Sequence, residues 1–508
     1  MYPLSGLPVI PPRGKQLWSS VICVIAFIVL VFVGVTAGLR QSGALLDYIV
    51  VPNTKNIPDA LHLSSRIFSR SSIDEIELKR STNDGLGLPV EVTSNWAAYA
   101  PWKPAGNYPA PPQGCAITQV NLIQRHGARF PTSGAAERIV SSIGKLQNAT
   151  QYLDTKFDFL KDFEYDFGTA DLIPFGASQS FEAGKEAWER YSELVKSGGE
   201  APFVRASSSQ RVVDTATNWT AGFGNVSLAS FAPTLSVVLS EDANDTLENG
   251  MCTNAGNSDD QTDDWLSVYG PSIAARLNEK APGANLTDDD IYSLMSMCAF
   301  HTLVSKSKSP FCDLFEEKEW AAFEYWGDLD KFYGNGYGQV LGPVQGVGYV
   351  NELIARLTNS PVQDHTQTNA TLDSSSATFP LNQTFYADFS HDNQIISIFA
   401  AIGIFKQYQL ANQTLDPTTP NAKRTWITSK LVPFSGRMVV ERLQCNSNAG
   451  EAHANSGTYV RLLVNDAVQP LEFCGGVEGV GLCELDAFVE SQAYSRQDGE
   501  GDWEKCFA

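Results

Sequence analysis

The sequence predicts an α/β fold carrying a mainly helical insertion, and three observations predict it. Residues 116–124 (AITQVNLIQ) alternate apolar and polar side chains as a strand does, then break into a polar loop and a helical pattern over 135–146. Residues 384–389 (TFYADF) repeat the arrangement, with a short polar loop before an apolar helical run over 393–405. The span between them, roughly 150–330, is mainly helical in pattern, and 183–196 is its clearest amphipathic stretch. Strand ends that feed helices are where α/β proteins bind ligands. Both loops therefore mark one candidate site, and residues 459–464 (YVRLLV) extend the α/β part toward the C-terminus.

Length and composition bound the rest. A chain of 508 residues exceeds a single ordinary core, and 43% hydrophobic with 18% charged residues excludes large-scale disorder. With 57 acidic against 36 basic residues the formal charge is −21, which excludes nucleic acid as a partner and favours an acidic medium.

Residues 17–39 form an uncharged apolar run long enough to span a bilayer as a helix. Arg13 and Lys15 precede it and place the N-terminus on the cytoplasmic side. The expected organisation is a cytoplasmic tail over 1–16, a single-pass signal-anchor over 17–39, a stem over 40–95 and a globular part over 96–508. The globular part would be extracellular or luminal, or secreted if the anchor is cleaved. Apart from Cys23 in the apolar run, the eight other cysteines point to disulfides in an oxidising compartment. Short loops favour Cys298 with Cys312 and Cys474 with Cys483, while the remaining pairings stay open. Eight N-x-S/T triplets, at Asn148, Asn218, Asn225, Asn244, Asn285, Asn369, Asn382 and Asn412, point to N-linked glycans.

The chemistry sits in the two loops. Arg125-His126-Gly127-Ala128-Arg129-Phe130-Pro131 sets two guanidinium groups around one imidazole. Arginine forks take phosphate oxygens bidentately, and their charge disfavours protonation of a neighbouring imidazole, leaving it neutral and nucleophilic. In the second loop, His391 is a donor to a phosphate oxygen and Asp392 a carboxyl able to protonate a departing alkoxide and then activate water. Such an acid works best in an acidic medium, where an aspartate is partly protonated. A third segment, residues 205–212 (RASSSQRV), offers Arg205 to complete the phosphate clamp, with Arg211 expected to pair with a structural carboxylate.

Taken together, these segments resemble the histidine acid phosphatases of the histidine phosphatase superfamily, in their fungal phytase-like branch. That family carries RHGxRxP near its start and an HD pair near its end, and both stand intact here. The likeness runs over residues 96–508 and is densest over 341–392, with GDWEKC at 501–506 fitting as well. The resemblance implies a phosphoglycerate-mutase-like α/β domain with a helical domain over the site. It implies hydrolysis of phosphomonoesters, phytate or simpler organic phosphates, at acidic pH. His126 would carry the phosphoryl group, Arg125, Arg129, Arg205 and His391 would bind its oxygens, and Asp392 would donate the proton. No cofactor and no metal is implied, and Cys115–Cys445 and Cys252–Cys506 would be the long-range disulfides. One departure bears on phytate: where the family often has lysines after RHGxRxP, Ala135 stands at the first such position. The alternatives on the same fold are a phosphoglycerate-mutase-like transferase and a catalytically silent surface-binding protein.

Overall fold

Alternating side chains build the centre of this computed structural model, which describes residues 85–446, 456–476 and 480–508. An eight-stranded sheet runs in the order β3-β2-β4-β1-β5-β6-β7, with β8 also paired to β6. Its strands are β1 (Cys115–Arg125), β2 (Phe203–Ser207), β3 (Leu235–Leu239), β4 (Phe385–Ser390), β5 (Arg437–Cys445), β6 (Gly457–Val464), β7 (Ala467–Val468) and β8 (Cys483–Glu484). Strands β1 to β4 pair in parallel, and β5 to β8 join antiparallel. The helices that matter here are α1 (Ser133–Gln147), α2 (Pro174–Gly198), α3 (Gln210–Val226), α4 (Asp259–Lys280), α5 (Asp288–Ser305), α6 (Trp320–Gly334), α7 (Val347–Thr358) and α8 (Asp392–Ile402).

The period of two along each strand divides the core. Val120 and Leu122 of β1, with Phe385, Ala387 and Phe389 of β4, pack against Ala187 and Tyr191 of α2 and Trp219 and Phe223 of α3. On the opposite face Ile123, Met438 and Val440 join Ile395 and Phe399 of α8 and Leu353 of α7. Helices α4, α5 and α6 pack with α1 into the helical layer, whose centre holds Trp265, Met295, Trp320 and Leu329. Helix α2 starts well ahead of the expected amphipathic stretch because Pro174 opens it, and Gly199 in the left-handed conformation closes it. Gly403, at φ 96°, likewise ends α8 at Ile402.

Two expectations are corrected. The helical insertion is not continuous over 150–330, because β2 and β3 of the central sheet lie inside that span. Each is a five-residue strand, too short to show against the long helices beside it. The packed chain also reaches back before residue 96, since Leu86, Leu88 and Val92 are buried in the core. The apolar run over 17–39 lies outside the described residues. Among the described residues no helix is long and apolar enough to cross a membrane.

Four disulfides form: Cys115–Cys445, Cys252–Cys506, Cys298–Cys312 and Cys474–Cys483. The first two join segments 330 and 254 residues apart, as the resemblance implied. Six of the eight triplet asparagines are exposed, namely Asn148, Asn225, Asn244, Asn285, Asn382 and Asn412.

Candidate active site

The carboxyl ends of the four parallel strands converge on one place. His126 follows β1, Arg211 follows β2 at the start of α3, Glu241 follows β3, and His391 with Asp392 follows β4 at the start of α8. The backbone ties the ends together. His126 N–H donates to the Ser390 carbonyl at 3.0 Å, and Ser435 N–H donates to the His126 carbonyl at 3.0 Å. Gly127 lets helix α2 come in close: a Cβ there would lie 2.5 Å from the Gly176 carbonyl oxygen, and a Cβ on Gly176 would lie 2.1 Å from that of Ala128. The motif glycine thus serves contact with the first turn of α2.

The tautomer of His126 follows from its partner. Nδ1 lies 2.9 Å from the carbonyl oxygen of Gly127, which only accepts, so Nδ1 carries the proton and Nε2 keeps its lone pair. The ring is 1% exposed. Burial, then the charges of Arg125 and Arg129, push its pKa well below the ordinary range, so the imidazole stays neutral in acid.

Three arginines surround it. Arg125 is fully buried, donates to the Val432 carbonyl at 2.6 Å and to that of Ala98, and stacks over Phe434 at 4.7 Å. Arg129 donates to the Phe130 carbonyl at 2.8 Å, and burial lowers its pKa to about 10. Arg211 Nη2 approaches His391 Nδ1 at 3.3 Å. In all three the Nε is buried and donates no hydrogen bond within the protein. Buried donors without partners are costly, and an anion's oxygens satisfy them.

Arg205, expected in this clamp, is elsewhere. On β2 its side chain points to the opposite face from Val204 and Ala206, toward α7. There it gives two hydrogen bonds to Glu352, at 3.0 and 2.6 Å, and bonds Asp388 at 2.8 Å, while Arg356 reaches Asp388 at 2.6 Å. All four side chains are at most 2% exposed. With its fork on two carboxylates and its side chain on the far face of the sheet, Arg205 stands apart from His126, whereas Arg211, expected to pair with a structural carboxylate, lies against His391.

Asp392 is the first residue of α8, where the helix dipole favours an anion. It pairs with Arg125 at 3.2 Å and with Lys331 of α6 at 3.0 Å. Burial raises its pKa, but Arg125 and Lys331 outweigh that and hold it well below the carboxylate range. The carboxyl is therefore ionised as folded, in contrast to the partly protonated acid expected. Lys331 and Glu241 carried no signal of their own: one lies inside a long helix, the other in a polar loop.

His391 is oriented from both sides. Arg211 only donates, so Nδ1 accepts, and Nε2–H donates to Glu241 Oε1 at 2.9 Å. Glu241 also accepts from Ser209 N–H at 3.0 Å, from Ser209 Oγ at 2.8 Å and from Ser207 Oγ at 2.9 Å. Burial raises its pKa, but the hydrogen bond from His391 and those from the serines bring it down to about 2. Ser207 Oγ lies 2.6 Å from Asp245 as well. One hydroxyl proton cannot serve two carboxylates, and burial pushes Asp245 up to about 6, so Asp245 carries the extra proton in acid and Glu241 stays the anion.

Comparison with known proteins bears on the family and the fold. Residues 116–465 match the family described as histidine phosphatase superfamily, branch 2. Phytase A of Aspergillus fumigatus is 41% identical over 415 residues, covering 78% of this chain and 86% of that protein. Phytase A of Aspergillus oryzae is 38% identical over 448 residues, covering 84% and 93%. Among solved structures, the phytase from D. castellii superposes with a TM-score of 0.62 at 23% identity, over 80% of this chain and 85% of that one. The Bifidobacterium longum multiple inositol polyphosphate phosphatase in complex with inositol hexasulfate gives 0.56 at 13% identity, over 77% and 96%; these two likenesses extend to the fold.

Proposed function

The chain belongs to branch 2 of the histidine phosphatase superfamily, and we propose that it hydrolyses phosphomonoesters, phytate among them, through a phosphohistidine at His126. One observation carries the reading: His126 Nδ1–H is tied to the Gly127 carbonyl, leaving Nε2 free among three guanidinium groups whose buried Nε donors have no partner within the protein.

In this reading Arg125, Arg129, Arg211 and His391 hold the oxygens of the transferring group, and the phosphorus faces His126 Nε2. The P–N bond forms as the P–O bond to the leaving group breaks. The arginines supply fixed positive charge where negative charge is shared in the transition state. The leaving oxygen needs a proton, and Asp392 is its source. As folded, Asp392 is a carboxylate, so it must first be protonated. Phosphate competes for Arg125, weakening the pull that holds Asp392 ionised, and phosphate charge raises its pKa further. In acid the substrate arrives as a monoanion, since the second ionisation of a phosphomonoester falls near pH ~6, and that proton is available to Asp392. After transfer, the Asp392 carboxylate takes a proton from water as its oxygen attacks phosphorus, which returns His126 and releases phosphate.

Phytate is drawn from the names of the relatives, and Ala135 in place of a lysine favours simpler esters in its wake. The membrane anchor over 17–39, with the catalytic part outside the cytoplasm, is part of the same proposal. Four disulfides and six exposed glycosylation triplets support export.

The test is phosphate release by the full-length protein from phytate and from p-nitrophenyl phosphate at acidic pH, beside His126→Ala, with labelled enzyme trapped by an alkaline detergent quench. Release and a base-stable, acid-labile phosphoenzyme, both lost in the variant, are expected. Turnover that survives His126→Ala would overturn the reading.

A further inference from the structure

We propose that Glu241 is the positioning residue of His391: it holds the ring by Nε2–H and supplies the counter-charge that lets the ring bind phosphate as an imidazolium. The inference deepens the phosphatase reading and rests on it.

The protons on the ring decide its charge. As folded, His391 Nδ1 accepts from Arg211, and Nε2–H is committed to Glu241 at 2.9 Å. A phosphoryl oxygen is also an acceptor. It can bind at Nδ1 only if Nδ1 carries a proton, and Nε2 cannot give up its own without breaking the bond to Glu241. The ring must then carry both protons and a positive charge. Around it stand Arg211 from α3 and His126 from the loop after β1, with Arg125 and Arg129 beside His126; its chain neighbour Asp392 is paired with Arg125 and Lys331. Asp392 is committed to those two cations and Asp245 to the Ser207 hydroxyl, so Glu241, in direct contact with Nε2, is the carboxylate placed to offset a charged ring. Its own position is fixed by three donors from Ser207 and Ser209, at the end of β2. The loop after β2 thus orients the loop after β4 through a residue that follows β3.

This arrangement differs from a merely structural ion pair in one measurable way. Replacing Glu241 by glutamine keeps an oxygen to accept from Nε2–H but removes the charge. Protonation of Nδ1 then lacks its counter-ion, and phosphate binding should fail at lower pH than in the wild type.

The test is calorimetric binding of inorganic phosphate to the full-length protein from acidic to neutral pH, for wild type, Glu241→Gln and Glu241→Asp. The values of kcat/KM for p-nitrophenyl phosphate are taken alongside. For Glu241→Gln the fall-off in phosphate affinity should move down by about one pH unit, which is about tenfold weaker binding at the upper end of the range. Glu241→Asp should restore part of it. A Glu241→Gln profile that superimposes on an active wild type would overturn the positioning role alone. A wild type that neither binds phosphate nor turns over substrate would overturn this inference together with the phosphatase reading.

Discussion

Arg205 and Asp388 are cross-strand neighbours in the parallel register of β2 and β4, and the Arg205 Nε donates to Asp388 Oδ1 at 2.8 Å. Both charges are buried, and Glu352 and Arg356 complete the group from α7. Removing one member of such a group leaves the others uncompensated, at a cost of about 3–5 kcal/mol. Arg205→Met should therefore lower the denaturant midpoint sharply. Arg211→Met should leave the midpoint close to wild type while cutting kcat/KM by about 10²-fold, the usual loss for one transition-state donor. Chemical denaturation beside kinetics separates the two, and the opposite pattern would restore Arg205 to the clamp.

Asp392 should matter most where the leaving oxygen is basic. Asp392→Asn is expected to cut kcat for an alkyl phosphate by about 10²- to 10⁴-fold, the range for general acid catalysis. Cleavage of p-nitrophenyl phosphate, whose leaving group needs little protonation, should fall less in the bond-breaking step. Single-turnover burst rates measure that step, and equal losses would count against the proton-donor role.

Four carboxyls, three buried and Asp373 half-buried, have strongly raised pKa values: Asp373 and Glu324 to about 8, Asp328 and Asp245 to about 6. Burial is the largest cause in each; for Asp373 and Glu324 a neighbouring carboxylate, Glu352 and Asp328, comes next. A carboxyl whose pKa is higher folded than unfolded binds its proton more tightly in the native state. Its contribution is fully present below the unfolded value of about 4 and is lost as pH rises through the folded value. Asp388 and Glu241, both lowered to about 2, act in the opposite sense and lose their contribution as pH falls toward 2. Thermal stability should therefore peak in mild acid and decline toward pH ~8. Asp373→Asn should raise Tm on the alkaline side and leave it nearly unchanged in acid. A scan of Tm against pH checks both.

The contact between Gly127 and Gly176 predicts a loop displacement. A methyl group on Gly176 would meet the Ala128 carbonyl oxygen at 2.1 Å, so the loop bearing His126 or the first turn of α2 must move. A misplacement of about 1 Å costs about 10²-fold in rate. Gly176→Ala should lose activity on that scale while keeping its disulfides and secondary structure, as assays beside circular dichroism would show.

The strands and helices that carry His126 and Asp392 were legible in the sequence because β1 and β4 are each followed by a short polar loop and then a helical run. Arg211 was misread because Arg205 follows two apolar residues and so looked like the end of a strand. In fact β2 runs on to Ser207, and alternation sends Arg205 away from the site. The usable signal was the one already used twice: a polar loop between strand and helix, here Ser208-Ser209, with Arg211 as the second residue of α3. Lys331 and Glu241 could not be read this way, since each reaches the site only through tertiary packing.

The backbone bonds around His126 also bear on when activity begins. Its N–H is satisfied by Ser390, its carbonyl by Ser435, and the Arg125 N–H by Gly436. All three partners are made long after His126 itself during N-to-C synthesis. A nascent chain that ends before residue 436 carries the RHGxRxP loop without the full set of groups that hold it, so the backbone frame of the nucleophile closes late in synthesis. Pairings this distant in sequence also form slowly. The order of synthesis thus places the nucleophile early and the backbone frame that holds it late.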